Sequence, residues 1–266
     1  MSGEIRSSRL PAELTVGIVS MGSVDVLELC LKSLLLTRVK ISHLVLYVHG
    51  GDATVAMAAH EWCSTVKCPL VICYDSTVRE HGWVLDKMVA SHMASEWCLL
   101  VDSDVEFLEP NWWLVFAGYL KETDSFVGCE MSIGPDGHSR GFVVNVRGFH
   151  PYLLLFNRKL VQEWNVSLQR LPFSVPEGFT PQWPGVQRVG TDTCGMLRAA
   201  TAREGYTFST VPDSTMQELV THFDHIESAW FHEGHSDRWI VMRSTIQERL
   251  LNVRERWENF VSSTSH

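Results

Sequence analysis

Asp102 and Asp104, separated by Ser103, follow directly on the apolar run Trp97-Cys-Leu-Leu-Val101. In an extended segment, residues two apart project to the same side, so both carboxylates can face one point. Ligands of open α/β sheets gather beyond the carboxyl ends of the strands, which is where this pair would stand. Two carboxylates brought together repel each other unless a cation lies between them. A hard divalent ion with oxygen ligands, Mn2+ or Mg2+, suits them and keeps coordination positions open for phosphate. The competing reading is a solvated turn, because Asp is favoured in turns whatever the function. The place of the pair at the end of a buried strand weighs toward the metal.

Such a pair needs a sheet to hold it, and the first half of the chain supplies the pattern of one. Short apolar, β-branched runs at 14–20, 43–48, 70–74 and 97–101 alternate with helix-periodic stretches at 26–36, 54–66 and 83–95. That alternation predicts an α/β fold with a mostly parallel central sheet flanked by helices. The strands are apolar throughout, as strands buried on both faces are. The second half is less regular. We expect helices at 111–120, 156–165 and 193–204, with Asp192 as N-cap and Gly205 as the stop of the third. Strands are expected at 126–133, 141–146 and 206–211. The stretch 171–190 holds Pro172, Pro176, Pro181 and Pro184 and reads as a long loop. Residues 244–260 form an amphipathic tail with Ile246, Leu250, Val253 and Trp257 at helical spacing. No repeat or linker divides the chain, so a single domain over 1–266 is expected, with halves at 14–105 and 106–243 and a helical tail at 244–266.

Composition bounds the function. The 266 residues are 45% hydrophobic and 20% charged, an ordinary globular balance. Twenty-two Lys+Arg against 31 Asp+Glu leave a formal charge of −9, which disfavours a nucleic acid as partner. Seven cysteines, most in apolar contexts and without a CxxC pair, read as reduced thiols of an intracellular protein. The first residues carry no apolar signal segment and no stretch is long enough to span a bilayer, so a cytoplasmic location is expected.

Several runs together resemble a known family. Thr15-Val-Gly-Ile-Val-Ser20, Leu27-Glu-Leu-Cys-Leu-Lys-Ser-Leu34, His81-Gly-Trp-Val-Leu-Asp-Lys-Met88 and Cys98-Leu-Leu-Val-Asp-Ser-Asp-Val-Glu-Phe-Leu108 are similar in order and spacing to glycosyltransferases of the GT-A fold, family 2 above all. Gly190-Thr-Asp-Thr-Cys-Gly-Met-Leu-Arg198 and Glu204-Gly-Tyr206 continue the likeness, which covers roughly 15–212. It implies a metal-dependent transferase that moves a sugar from a nucleotide-diphosphate donor, UDP- or GDP-type, to an acceptor hydroxyl. Residues 14–105 would bind the nucleotide-sugar and 106–243 the acceptor. Asp104 would hold Mn2+ or Mg2+, with Asp102 on the metal or the ribose. Asp192 matches the family's general base, which implies inversion; the competing reading is a plain N-cap. The donor-binding positions implied are Ser20, Met21, Gly22, Asp52, Asp75, Arg79, Lys87, Asp102 and Ser103. The chain departs from the family at His49-Gly50-Gly51-Asp52, where an acidic pair is usual. The acid that reads the nucleobase is therefore shifted or absent, and Asp75, at the end of the third strand, is the alternative reader of the base edge. For Arg79 and Lys87 plain surface charge is the competing reading.

Enzymes of this fold often bring a C-terminal histidine to the metal. His222 and His225 at i, i+3 are the leading candidates, ahead of the same spacing at His232 and His235. A neutral imidazole can join two carboxylates on Mn2+. Trp183 in the Pro-rich stretch is the expected acceptor contact, whereas one of Trp112 and Trp113 belongs to the core. Glu130 reads equally as a sugar contact or an edge-strand carboxylate. Two rival functions remain at this point. A nucleotidyltransferase would want a basic Gly-rich loop after the first strand, which Ser20-Met-Gly-Ser23 lacks. The other is a non-catalytic sugar- or partner-binding module on the same fold.

Overall fold

The computed structural model describes residues 13–51, 53–130, 144–145, 149–168, 189–190, 194–223 and 237–264. Seven strands form the main sheet: β1 (Leu14–Ser20), β2 (Ile41–His49), β3 (Leu70–Asp75), β4 (Trp97–Asp102), β6 (Asp124–Glu130), β8 (Phe149–Asn157) and β10 (Thr207–Val211). Their order is β10-β6-β8-β4-β1-β2-β3. Among the described strands of this sheet only β8 runs against its neighbours, antiparallel to both β4 and β6. Two small ribbons flank the sheet. One pairs β5 (Val105–Phe107) with β11 (Val220–His222), and the other pairs β7 (Val144–Asn145) with β9 (Val189–Gly190). The helices are α1 (Val24–Leu35), α2 (Thr54–Thr65), α3 (His81–Ser91), α4 (Trp112–Ala117), α5 (Arg158–Glu163), α6 (Gly195–Arg203), α7 (Asp213–Leu219) and α8 (Asp237–Thr264).

The apolar runs of β1, β2 and β4 become largely buried strands because both faces of the sheet are covered, whereas β3, at the sheet edge, is only half-buried. Every residue of β1 is buried. On one face Val16, Ile18, Leu46 and Leu99 pack against α1, α2, α4 and α7. On the other, Val19, Val45 and Leu100 pack against α3, with Leu197 of α6 in the same cluster. α1 and α2 therefore lie on one face and α3 on the other. That switch sends β4 to the opposite side of β1 from β2, which opens a crevice at the carboxyl ends of β1 and β4. The register sets Val19 of β1 beside Asp102 of β4.

The second half departs from expectation in one place that matters. The helix expected at 156–165 is shorter, α5, and the residues before it form β8. A continuous apolar run such as Tyr152-Leu-Leu-Leu-Phe156 has no period to tell strand from helix, and here it fills the slot between β4 and β6. Asn157 marks the change by capping α5, accepting hydrogen bonds from the amides of Lys159 and Leu160. The expected cap of α6 also moves. Cys194, at φ 69°, holds the N-cap position, and Asp192 lies outside the described residues. Gly205, at φ 74°, follows the end of that helix as its glycine predicts. The tail helix starts at Asp237 instead of residue 244 and packs Ile246, Leu250 and Val253 on Val26 and Leu29 of α1.

None of the seven cysteines, all among the described residues, is in a disulfide, and five of them are buried. No helix among the described residues is long and apolar enough to cross a membrane.

Candidate active site

The carboxyl end of β4 and the β5–β11 ribbon converge on one point. Asp102 closes β4, Ser103 is buried, and Asp104 precedes β5 with 9% of its surface exposed. The antiparallel ribbon sets Val105 opposite His222. It brings His222 Nε2 to 3.3 Å from Asp104 Oδ1. One ligand atom from each of Asp102, Asp104 and His222 lies within 4.8 Å of the others. Ligands on one Mn2+ or Mg2+ ion stand about 3–4 Å apart, so three such groups match a single ion after small side-chain adjustments. Two carboxylates and an imidazole also form a donor set that borderline divalent metals accept.

Two side chains that the sequence reading did not single out as site residues border this cluster. His81, the first residue of α3, places Nε2 3.4 Å from Asp102 Oδ1. Tyr152 of β8 lies flat on His222, with ring centroids 4.2 Å apart and planes 11° apart. His81 lies in the run His81–Met88 but two residues before the helix-periodic stretch at 83–95, so no spacing marks it. Tyr152 lies in an apolar run with no period to tell strand from helix.

Next to the cluster, the loops after β1, β2 and β3 meet. A Cβ on Gly51 would lie 2.5 Å from Gly22 Cα and 2.8 Å from the Met21 carbonyl oxygen, so these loops run backbone against backbone. Gly22 sits at φ 104°, a conformation that side chains disfavour, and its amide donates to Ser20 Oγ at 3.2 Å. Gly50 N donates to the Asp75 carbonyl at 2.9 Å, and the Tyr74 hydroxyl donates to the Gly51 carbonyl at 3.0 Å. Ser20, Met21, Gly22 and Asp75 are thus gathered at one end of the sheet.

Asp75 Oδ2 accepts from Arg79 Nε at 2.6 Å and Oδ1 accepts from Thr77 N at 2.9 Å. The hydrogen bond from Arg79 is the main reason its carboxyl is held below the usual range. Arg79 also lies over the Trp83 ring, at 5.1 Å, and the exposed Lys87 lies over the same ring at 5.5 Å. Beneath this group His49 is buried, and its Nδ1 accepts from Arg79 N at 3.0 Å. Burial, with a smaller contribution from His81, lowers His49 to about 4. His49 is therefore neutral, with Nδ1 as acceptor and the proton on Nε2.

The structure thus brings Asp102, Ser103, Asp104 and His222 together and sets Ser20, Met21, Gly22, Asp75 and Arg79 at the same end of the sheet. Lys87 stands one helix turn beyond Arg79's ring partner. Trp112 and Trp113 are both buried in the core. Glu130 ends β6 exposed. Asp52, Trp183, Asp192 and His225, with His232 and His235, lie outside the described residues.

No protein-family model matches the chain, and no curated protein matches it. Solved structures do. A mannosyltransferase, PcManGT from Pyrobaculum calidifontis in complex with GDP-Man and Mn2+, is 18% identical and superposes with a TM-score of 0.53. The match covers 75% of this chain and 55% of that one, so the chain spans about half the length of that protein. Glucosyl-3-phosphoglycerate synthase from Mycobacterium tuberculosis, solved with Mn2+, UDP and phosphoglyceric acid, is 12% identical with a TM-score of 0.49, covering 92% of this chain and 78% of its own. TarS of S. aureus with UDP-GlcNAc is 14% identical with a TM-score of 0.44, over 59% of this chain and 48% of its own. The match to the first of these, with the seven-stranded, mostly parallel sheet and helices on both faces, shows that the chain has the GT-A fold.

Proposed function

We propose that this chain is a divalent-cation-dependent glycosyltransferase, moving a sugar from a nucleoside-diphosphate donor of UDP or GDP type to an acceptor hydroxyl. The observation that carries the reading is the meeting of Asp102, Asp104 and His222 within 4.8 Å of one another at the switch point of a GT-A sheet. PcManGT, which shares the fold, was solved with GDP-Man and Mn2+, and this supports both the donor class and the metal.

Asp102, Asp104 and His222 would hold Mn2+ or Mg2+, with His225 as a further candidate. Once bound, the ion supplies positive charge against the diphosphate that leaves. Ser20, Met21, Gly22 and Ser103 offer backbone and hydroxyl groups to the donor. Asp75 and Arg79, with Asp52, are our candidates for the nucleobase: a carboxylate accepts from a base edge and a guanidinium donates to it. Lys87 completes the donor set. Residues 14–105 act as the donor half and 106–243 as the acceptor half. Asp192 is our general base: it takes the acceptor proton while the oxygen attacks the anomeric carbon opposite the leaving diphosphate, which inverts that carbon. Trp183 is the proposed acceptor contact, its ring stacking on the substrate.

A thermal-shift panel of UDP, GDP, CDP and dTDP, each with and without Mn2+, tests the proposal. A nucleotide at one hundred times its Kd adds about 2.7 kcal/mol of stability. We expect UDP or GDP to raise Tm only with Mn2+, and Asp104→Ala to abolish the rise. If no nucleotide stabilises the protein with any divalent ion, the proposal is wrong.

A further inference from the structure

α8 supplies no member of the Asp102, Asp104 and His222 cluster, yet it grips both strands of the ribbon that ends in His222 and begins one residue after Asp104. Arg249 Nη1 donates to Glu106 Oε2 at 2.6 Å and to Thr221 Oγ1 at 3.3 Å. Glu106 and Thr221 face each other across the ribbon, one register step from Val105 and His222. Phe223, the residue after His222, packs with Ile246, Leu250 and Val253 of α8 and with Val26 and Leu29 of α1. Its amide donates to the Asp104 carbonyl at 2.9 Å, and the Arg249 guanidinium lies over its ring at 5.8 Å. The helix therefore holds the chain on both sides of the candidate ligands.

The ribbon needs that grip. β5 and β11 have three residues each, and an isolated two-stranded ribbon is marginal in water. Glu106 is 5% exposed, and a carboxylate so placed requires a charged partner. Arg249 is that partner, and it bonds to the opposite strand as well. If the ribbon slips or opens, His222 leaves Asp104, because the pairing of Val105 with His222 sets the backbone from which both side chains reach.

We propose that Arg249 is a positioning residue for the metal centre, and that docking of α8 and binding of the cation are coupled. α8 fixes the register that brings His222 to Asp104. A cation across Asp102, Asp104 and His222 holds the ribbon against α8 in return, since such coupling is reciprocal. The inference rests on the metal reading given above.

Titration of the full chain with Mn2+, followed by calorimetry and by the electron paramagnetic resonance of the ion, tests it. Substitution of a group that supports metal ligands typically weakens the metal by 10–100-fold. We expect Arg249→Met to weaken Mn2+ by about tenfold, the low end of that range. Arg249→Lys, which keeps a charged donor for Glu106, should recover most of the loss. Hydrogen exchange supplies a second measurement that needs no variant at α8. Saturating Mn2+ should slow exchange over 237–264 in the wild type and not in Asp104→Ala, with α2 as internal reference. Equal Mn2+ affinity in Arg249→Met and wild type overturns the inference. So does exchange in α8 that ignores Mn2+, which decides the matter if Arg249→Met does not fold. If wild type binds no Mn2+, or Asp104→Ala binds it equally well, the metal reading itself falls and the coupling with it.

Discussion

Tyr152 lies flat against His222, centroid to centroid 4.2 Å, although the two rings come from different sheets. The stack pins the imidazole so that Nε2 stays toward Asp104. The far end of Tyr152 meets Cys129, and burial pushes both the phenol and the thiol above their ordinary values. Both stay protonated, so the contact carries no charge toward the carboxylates. The ring, not the hydroxyl, does the positioning. Tyr152→Leu should therefore weaken Mn2+ by about tenfold, as loss of a supporting partner does, while Tyr152→Phe should bind close to wild type. Parallel Mn2+ titrations of the two variants decide this; equal losses would assign the effect to the hydroxyl.

Gly51 makes a different claim, about the nucleotide and not the metal. A methyl there would strike Gly22 Cα and the Met21 carbonyl, and neither is a flexible side-chain end. The loops after β1 and β2 must separate to admit it. Overpacking of this kind costs about 1–3 kcal/mol. Gly51→Ala should lower Tm and weaken UDP or GDP by at least about tenfold, the worth of roughly 1.4 kcal/mol. Mn2+ binding should persist, because the β5–β11 ribbon is untouched. A variant that keeps nucleotide affinity would place the donor elsewhere.

The first four strands and three helices were legible because each obeys a simple rule: apolar runs for strands buried on both faces, helical spacing between them, glycines where strands stop. Asp102 and Asp104 stood out for the same reason, as polar residues at the end of such a run. His222 could be named as a candidate only among four histidines, since its place depends on a three-residue strand pairing with β5. Pairing between short distant strands leaves no period in a sequence. Tyr152 and His81 were missed on similar grounds: each serves the site through a partner brought from another part of the chain. Arg249 has no sequence signal that sets it apart from the other charges of the tail, and only the fold shows the buried Glu106 beneath it.

His49 predicts a signature in acid. Its folded value is about 4, against an ordinary 6.5, because burial disfavours the imidazolium. Between those two values the unfolded chain binds a proton that the folded one refuses. Stability therefore rises with pH through this window: the contribution is complete above about 6.5 and is lost as pH falls toward 4. The amplitude is at most about 3 kcal/mol. His49→Asn keeps an acceptor for the Arg79 amide and removes the titrating group. Chemical denaturation of wild type and variant from pH 4 to 8 should show the wild-type curve steeper between 4 and 6.5. Parallel curves would mean that His49 titrates normally in the fold.

Asp86 makes the last prediction, and it concerns the segment that holds Trp183 and Asp192. Asp86, on α3, accepts from Ser167 Oγ and from Leu168 N, each at 2.6 Å. The Leu168 carbonyl in turn accepts from Cys194 N at 2.6 Å. One carboxylate thus ties down the chain where it enters residues 169–193 and, through Leu168, where it returns. Asp192 lies two residues before Cys194, so the tether bears on our proposed base and not on the metal or the donor loops. Asp86→Ala leaves the Leu168 amide without its acceptor and should cost about 1–3 kcal/mol of stability. The sharper expectation is kinetic: the Mn2+-dependent rise in Tm with nucleotide stays, while sugar transfer falls by at least about tenfold and slow hydrolysis of the donor by water falls less. Water needs no positioned acceptor site, whereas a hydroxyl acceptor needs both a base and a surface to lie on. Equal losses of transfer and hydrolysis would move the role of Asp86 to the donor half, and loss of the nucleotide shift would make it a structural residue of α3.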